Sequence, residues 1–217
     1  LIRIHPNKFI LIHIPRTGGT SLKDSPRIQP VNMRMLDKRF HTPNHNPITI
    51  HHAPASYLLK EYRSHPKIAV IRNPWSKLVS LYNYADYARK HEASFIRRGA
   101  GEYTKGEKIS FNEFIDGIDL FVQTSTFYKN HPYDHFGSQT DWLTEAKELT
   151  ILRFEHLKED AEKALGHSFD SWHNKGIYND DYTSYYNEEQ IEKVRQWYRL
   201  DIERFGWDFE TTARNIR

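Results

Sequence analysis

The chain contains no cysteine. No disulfide framework and no zinc–thiolate site can therefore form. Small secreted scaffolds usually carry cysteines, so their absence favours a reducing compartment. No Asn-x-Ser/Thr glycosylation triplet occurs. No run approaches the ~18 apolar residues of a membrane-spanning helix, and no signal peptide is visible. Charge of one sign is scarce too: the formal net charge is only +3, whereas nucleic-acid binders concentrate a basic stripe. The nearest basic run, Arg97–Arg98 with Lys105 and Lys108, is interrupted by Gly, Ala, Glu and Tyr and reads as a solvated loop. Nucleic acid and a membrane segment are thus not expected partners.

What is present describes a globular protein. The 217 residues suffice for one domain with a core, expected to span 1–217, and 38% hydrophobic with 27% charged residues is an ordinary soluble balance. Aromatics reach 14% and are expected to supply much of the packing.

Four apolar runs read as strands: Phe9–Ile14, Ile48–His52, Ile68–Arg72 and Leu149–Phe154. Three of them are β-branched-rich and nearly continuous, the pattern of strands buried on both faces. Helical stretches alternate with them: Pro54–Arg63, Pro74 to about His91, and Glu155–Leu165. Proline in the first turn suits the first two. The alternation predicts an α/β fold with a parallel sheet of four to five strands, P-loop-like, flanked by helices in a single domain. A last helix is predicted from Asn187, with Gln190 completing a capping box. Ile191, Val194, Tyr198, Ile202 and Phe205 form its core stripe, and Gly206 ends it. Residues 23–47, with four prolines, and residues 97–108 read as long loops.

The first strand runs into PRTGGTS, residues 15–21. In open α/β sheets ligands sit beyond the carboxyl ends of strands. Gly18 and Gly19 permit close backbone approach and positive φ, so successive N–H groups can face one anion. A helix starting near Thr20 would add partial positive charge. Thr17, Thr20 and Ser21 add hydroxyls, and Arg16 a guanidinium fork. No Lys follows the second glycine, so this is not a Walker A loop.

The third strand ends in RNPWSKLVS, residues 72–80. Arg72 falls at its carboxyl end, and Ser76 and Ser80 share a face of the following helix. Arg72 and Ser80 together suit a second phosphate.

The paired stretches resemble the sulfotransferases that use 3′-phosphoadenosine 5′-phosphosulfate (PAPS). In that family a strand–loop–helix binds the 5′-phosphosulfate, and an R-x-P-x-x-x-x-x-S segment binds the 3′-phosphate. HHAPASYL, QTDWL, ILRFEHLKED and DYTSYYNEEQIEKVRQWYRLDIERFGWDF resemble further blocks of the carbohydrate branch, which includes heparan 2-O- and chondroitin-type enzymes and bacterial relatives. The resemblance implies PAPS as cofactor, with adenosine 3′,5′-bisphosphate as product. It implies Arg16, Thr17, Gly18, Gly19, Thr20, Ser21, Arg72 and Ser80 as binding residues, and a hydroxyl acceptor, a glycan or a small molecule. Arg16 stands where the family usually has Lys. The animal relatives are Golgi-lumenal. Absent cysteines and glycosylation triplets favour a cytoplasmic protein of bacterial or viral type, with a Golgi-lumenal fragment as the alternative.

Sulfuryl transfer by in-line attack needs a base for the acceptor proton, and electrostatic stabilisation by groups such as Arg16. His51 and His52 end the second expected strand, and strand alternation points them to opposite faces. The family's H-x-x-A block falls on His52-Ala53-Pro54-Ala55, which favours His52 over His51. Despite thirteen histidines, no H-E-x-x-H pattern occurs, and no metal is expected. Tyr182, Tyr185 and Tyr186 suit either stacking on a ring ligand or core packing, and Glu155 reads as structural. Two other functions remain open on sequence: a nucleotide kinase with a degenerate phosphate loop, for which no Walker B Asp ends a strand, and a non-catalytic anion- or glycan-binding module.

Overall fold

The computed structural model describes residues 4–37, 52–90, 109–118, 135–170 and 181–210. The chain forms two compact units, Leu1–Arg72 with Gln139–Lys175, and Asn73–Ser138 with Gly176–Arg217. The class is α/β with a four-stranded parallel sheet. No helix among the described residues is long and apolar enough to cross a membrane.

The first unit is built on the sheet. Its strands are β1 (Phe9–Ile12), β2 (Ile28–Pro30), β3 (Lys67–Ile71) and β4 (Leu149–Arg153), in the order β2-β1-β3-β4. All three pairings are parallel; Ile12 lies opposite Ala69, and Ile71 opposite Arg153. The segments that follow β1, β3 and β4 therefore leave at the same edge. Ile10 to Ile12 of β1 and all of β3 are buried, as continuous apolar runs in a parallel sheet should be.

β2 lies inside the segment predicted as loop. It is three residues long, follows Pro26 closely and ends on Pro30, too short to show periodicity. Pro30 is tolerated because β2 is an edge strand, where a missing N–H costs no ladder bond. The predicted strand Ile48–His52 lies outside the described residues except for His52, which sits in a turn.

The predicted helix over 54–63 is instead two 3₁₀ turns, Ala55–Tyr57 and Lys60–Tyr62. Between them the backbone is claimed by tertiary partners: Leu58 forms a bridge with Leu36, Asp37 N–H donates to Tyr57 O (3.0 Å), and Leu59 N–H donates to Met35 O (2.9 Å). Those groups cannot also serve a helical ladder.

Two helices of this unit lie among the described residues. The single turn Gln139–Trp142 precedes β4, and Leu157–Leu165 follows it. Leu157, Ala161 and Leu165, spaced four apart, pack with Leu11, Leu22, Ile28, Ile68, Val70 and Leu152. Gly166 ends the helix at φ 72°. Arg27, just before β2, donates from Nη1 to Leu165 O (2.9 Å) and so satisfies a carboxyl-end carbonyl.

The second unit is helical and aromatic. Its first helix, α1 (Pro74–Lys90), starts on proline as expected, and Asn73 Oδ1 accepts from the N–H groups of Trp75 (3.0 Å) and Ser76 (3.4 Å). A short helix, α2 (Phe111–Asp116), opens with a Ser110/Glu113 capping box. The predicted final helix is present but divided into α5 (Glu188–Trp197) and α6 (Arg199–Phe205); α3 and α4 denote the two helices of the first unit. The division falls at Tyr198, buried and donating from its hydroxyl to Phe136 O (2.6 Å). There φ is −105° and ψ 28°, outside helical values. The Asn187/Gln190 capping box forms in full, and Gly206 closes α6 at φ 68°.

Trp75, Tyr82, Phe111, Phe114, Phe136, Tyr182 and Tyr198 dominate this unit's core. Tyr82 donates to Ile109 O (2.9 Å), Tyr182 to Phe209 O (2.8 Å) and Tyr186 to Trp75 O (2.8 Å). Each ring fills volume while its hydroxyl reaches a backbone carbonyl, the usual use of buried tyrosine. Tyr182 is thus a core member, and the half-buried Tyr185 and Tyr186 pack against that core, Tyr185 edge-on against Phe111 at 5.2 Å. Of the two roles open for these tyrosines, the structure displays packing.

Candidate functional site

Beyond β1 the chain turns sharply. Thr17 Oγ1–H donates to Ile14 O (2.9 Å), closing the turn. Arg16 is drawn into positive φ (65°), and Gly18 follows at φ 90°. A non-glycine residue at positive φ is uncommon, and such strain costs on the order of 1–3 kcal/mol. Alternation of left-handed and ordinary residues turns neighbouring N–H groups toward a common concavity.

The predicted helix after the loop is a single 3₁₀ turn, Gly19–Leu22. One turn sums few peptide dipoles, so a helix dipole adds little at this loop. Exposure alternates along the loop. Arg16, Gly18 and Thr20 are half-buried, whereas Thr17, Gly19 and Ser21 are buried. The accessible face is therefore Arg16, Gly18 and Thr20. Thr17, expected as a hydroxyl donor, is fully enclosed and gives its proton to Ile14, so its side chain shapes the loop.

Neither glycine has room for a side chain. A Cβ on Gly18 would lie 2.7 Å from Phe154 Cδ2, and one on Gly19 would lie 2.7 Å from His13 Cδ2. His13, the residue after β1, is buried with its ring laid over Gly19. Its Nε2 lies 3.5 Å from Thr20 Oγ1.

The other side of His13 meets His52. The two ring centroids are 4.3 Å apart and tilted by 38°. His52 Nδ1 lies 2.8 Å from His13 O. A carbonyl only accepts, so Nδ1 carries the proton and Nε2 carries the lone pair of the neutral ring. Trp142 meets the same imidazole edge-on at 6.4 Å. A backbone acceptor and two rings therefore orient His52, as a proton acceptor requires. His51 lies outside the described residues.

Arg72 leaves the end of β3, half-buried. Gln139, fully buried, grips its backbone from both sides: Arg72 N–H donates to Oε1 (2.8 Å), and Nε2–H donates to Arg72 O (2.7 Å). The guanidinium lies 3.9 Å over the Phe154 ring, and its Nη1 donates to Arg16 O at 3.4 Å. The structure thus brings Arg72 beside the Arg16–Gly18 loop. Glu155 is half-buried in the 3₁₀ turn Phe154–His156 after β4. Ser80 is half-buried on α1 of the second unit, one turn beyond the buried Ser76.

Three residues of this arrangement get no role from a reading of motifs: His13, and Gln139 and Phe154, which lie within the blocks QTDWL and ILRFEHLKED. Each stands next to a strand end or within a short turn, and only the fold reveals what it touches. Among the described residues no group of three or more His, Asp or Glu could hold a metal ion.

A model of the sulfotransferase family matches residues 1–208. No curated protein matches the chain.

Proposed function

Because the chain belongs to the sulfotransferase family, whose members transfer sulfuryl groups, we propose that it carries such a group from PAPS to a hydroxyl of a carbohydrate, with His52 as general base. One observation carries this reading. Arg72, the residue after β3, and Arg16 of the loop after β1 meet at 3.4 Å, guanidinium to carbonyl, beside a turn in which Gly18 and Gly19 make room for the Phe154 and His13 rings. A doubly charged nucleotide suits two cations and a concave row of N–H groups at one sheet edge.

When bound, the donor supplies an activated sulfuryl group, and adenosine 3′,5′-bisphosphate is its leaving group. The chain's own contribution is positioning and electrostatics. Arg16 and the N–H groups of residues 18–20 meet the negative charge at the 5′ end. The Arg72 fork holds the 3′-phosphate. His52 Nε2 takes the acceptor proton while Nδ1–H stays on the His13 carbonyl, so the ring need not turn during transfer. Arg16 replaces the family's usual Lys and is never a proton donor at neutral pH, so protonation of the leaving oxygen is not assigned to it. A carbohydrate acceptor rests on the resemblance of the matching blocks to the carbohydrate branch.

Thermal unfolding with added nucleotide tests the donor. Adenosine 3′,5′-bisphosphate should raise the melting temperature, and ATP with Mg²⁺ should raise it far less. Equal shifts would instead favour a phosphotransferase. Acceptors follow from a screen with labelled PAPS. In that assay His52→Ala should lower kcat by roughly 10²–10⁴ and leave bisphosphate affinity near that of the parent; unchanged turnover would remove the base assignment.

A further inference from the structure

We propose that Phe154 is a positioning residue of this anion site, one that holds Arg72 and the Gly18 turn at a fixed spacing and so sets the preference for a nucleotide with two phosphates over one. The inference rests on the functional reading above and adds to it a residue that touches both anchors.

Three observations converge on the ring. Its face lies 3.9 Å under the Arg72 guanidinium. Its edge occupies the space that a Gly18 Cβ would need, with Cδ2 and Cε2 at 2.7 Å and 3.0 Å from that position. Its backbone follows β4 directly, in the 3₁₀ turn Phe154–His156. The ring is thus a wedge carried by a third strand between parts that follow β1 and β3.

Arginine needs such a wedge. Its long side chain has many rotamers, and ordering it on ligand binding costs entropy. Gln139 fixes the Arg72 backbone but cannot fix the guanidinium. The bond to Arg16 O is long at 3.4 Å. A flat aromatic surface fixes the plane of the fork through cation–π attraction. Because the same ring abuts Gly18, moving it would displace the turn as well. Loss of the ring should therefore penalise ligands that use both anchors more than ligands that use one.

Titration calorimetry on the whole chain tests this with adenosine 3′,5′-bisphosphate and with AMP. Phe154→Leu should weaken bisphosphate binding roughly tenfold and AMP binding much less, narrowing the ratio between them. Phe154→Tyr keeps the ring face and should restore the parent ratio. In an Arg72→Met background, Phe154→Leu should no longer change that ratio, because the partner is gone. Circular dichroism checks the fold of each variant, and Phe154→Met, closer in length and flexible, replaces the Leu variant if that one does not fold. A parent protein that binds both nucleotides equally, or neither, overturns the functional reading and this inference together. A parent that separates them, with a Leu or Met variant that separates them just as well, overturns only the role of Phe154. Failure of Tyr to restore the ratio would do the same.

Discussion

Gly18 and Gly19 stand side by side but guard different things. At Gly18 the obstacle is doubled: φ is 90°, and the space for a methyl is taken by Phe154. Gly18→Ala should therefore cost stability on the order of 1–3 kcal/mol and weaken nucleotide binding, read by denaturant titration and calorimetry; a variant equal to the parent in both would show that the turn relaxes freely. At Gly19 no positive φ is involved, and the obstacle is the His13 ring at 2.7 Å. That ring is stacked on His52 and cannot slide without disturbing it. Gly19→Ala should accordingly lower kcat at saturating donor by about tenfold or more while bisphosphate affinity changes little, since misplacement of a base costs rate rather than ground-state binding. A fall in affinity with kcat intact would place His13 outside the catalytic arrangement. The candidate site was legible to the extent that its chemistry is written in residue type: glycines after a strand, an arginine at a strand end, a histidine in a familiar block. His13, Gln139 and Phe154 were not, because a histidine, an amide and a phenyl acquire their parts from contacts across distant stretches of chain.

Element by element, local chemistry was most readable where the ends of helices are closed by their own residues. The Asn187/Gln190 box could be predicted from four letters and forms with Asn187 Oδ1 accepting from Gln190 N–H at 2.9 Å. The Ser110/Glu113 box of α2 works the same way, with Ser110 N–H donating to Glu113 Oε2 at 2.7 Å. The Ser110 backbone bond first, and its hydroxyl second, hold the Glu113 carboxyl below its ordinary value of 4.5. A depressed acid contributes stability above its unfolded value and loses it as pH falls through the folded one. The start of α2 should therefore loosen only below about pH 4.5. Amide exchange of residues 111–114 checks this: the parent should lose protection on acidification, and Glu113→Gln should show lower protection at neutral pH with little further loss in acid. Equal acid dependence in both would remove the carboxylate from the cap. Where elements answer to distant partners, reading by pattern fell short. Helical propensity in 54–63 is overridden by the bridge between Leu58 and Leu36, the final helix is divided where Tyr198 is tied to Phe136 O, and β2 exists only because β1 offers it a ladder.

At the scale of the whole molecule, the family match over residues 1–208 takes in segments of both compact units, and stability of the sheet unit sets whether the edge that carries the candidate site exists at all. One charge at the opposite end of β3 bears on that directly. Lys67 opens the strand and is fully buried, with Nζ donating to Arg63 O and His65 O at 2.7 Å each and to Lys147 O at 3.3 Å. The ammonium ties the turn before β3 to the approach of β4. Desolvation lowers its pKa below the ordinary 10.5, with the Glu148 charge partly opposing. The unfolded chain thus holds this proton more tightly than the folded one. Between the lowered folded value and 10.5 the unfolded state binds more protons, so stability rises with pH across that window, while below it the full penalty of a buried cation is present. Lys67→Met removes the titration but strands three carbonyl oxygens that the ammonium satisfied. Hydrogen bonds to a charged group are worth about 1.5–3 kcal/mol, and because Arg63 and His65 are half-buried and Lys147 exposed, so that water partly replaces the ammonium, the variant should lose on the order of 1–3 kcal/mol at neutral pH. Urea unfolding repeated from neutral to alkaline pH separates the two effects. The gap between parent and Lys67→Met should be largest at the alkaline end, because only the parent gains stability as its lysine sheds the proton. A constant gap at every pH would mean that the ammonium keeps its proton as readily inside the fold as outside it, and a vanishing gap would mean that the three carbonyls do not need it.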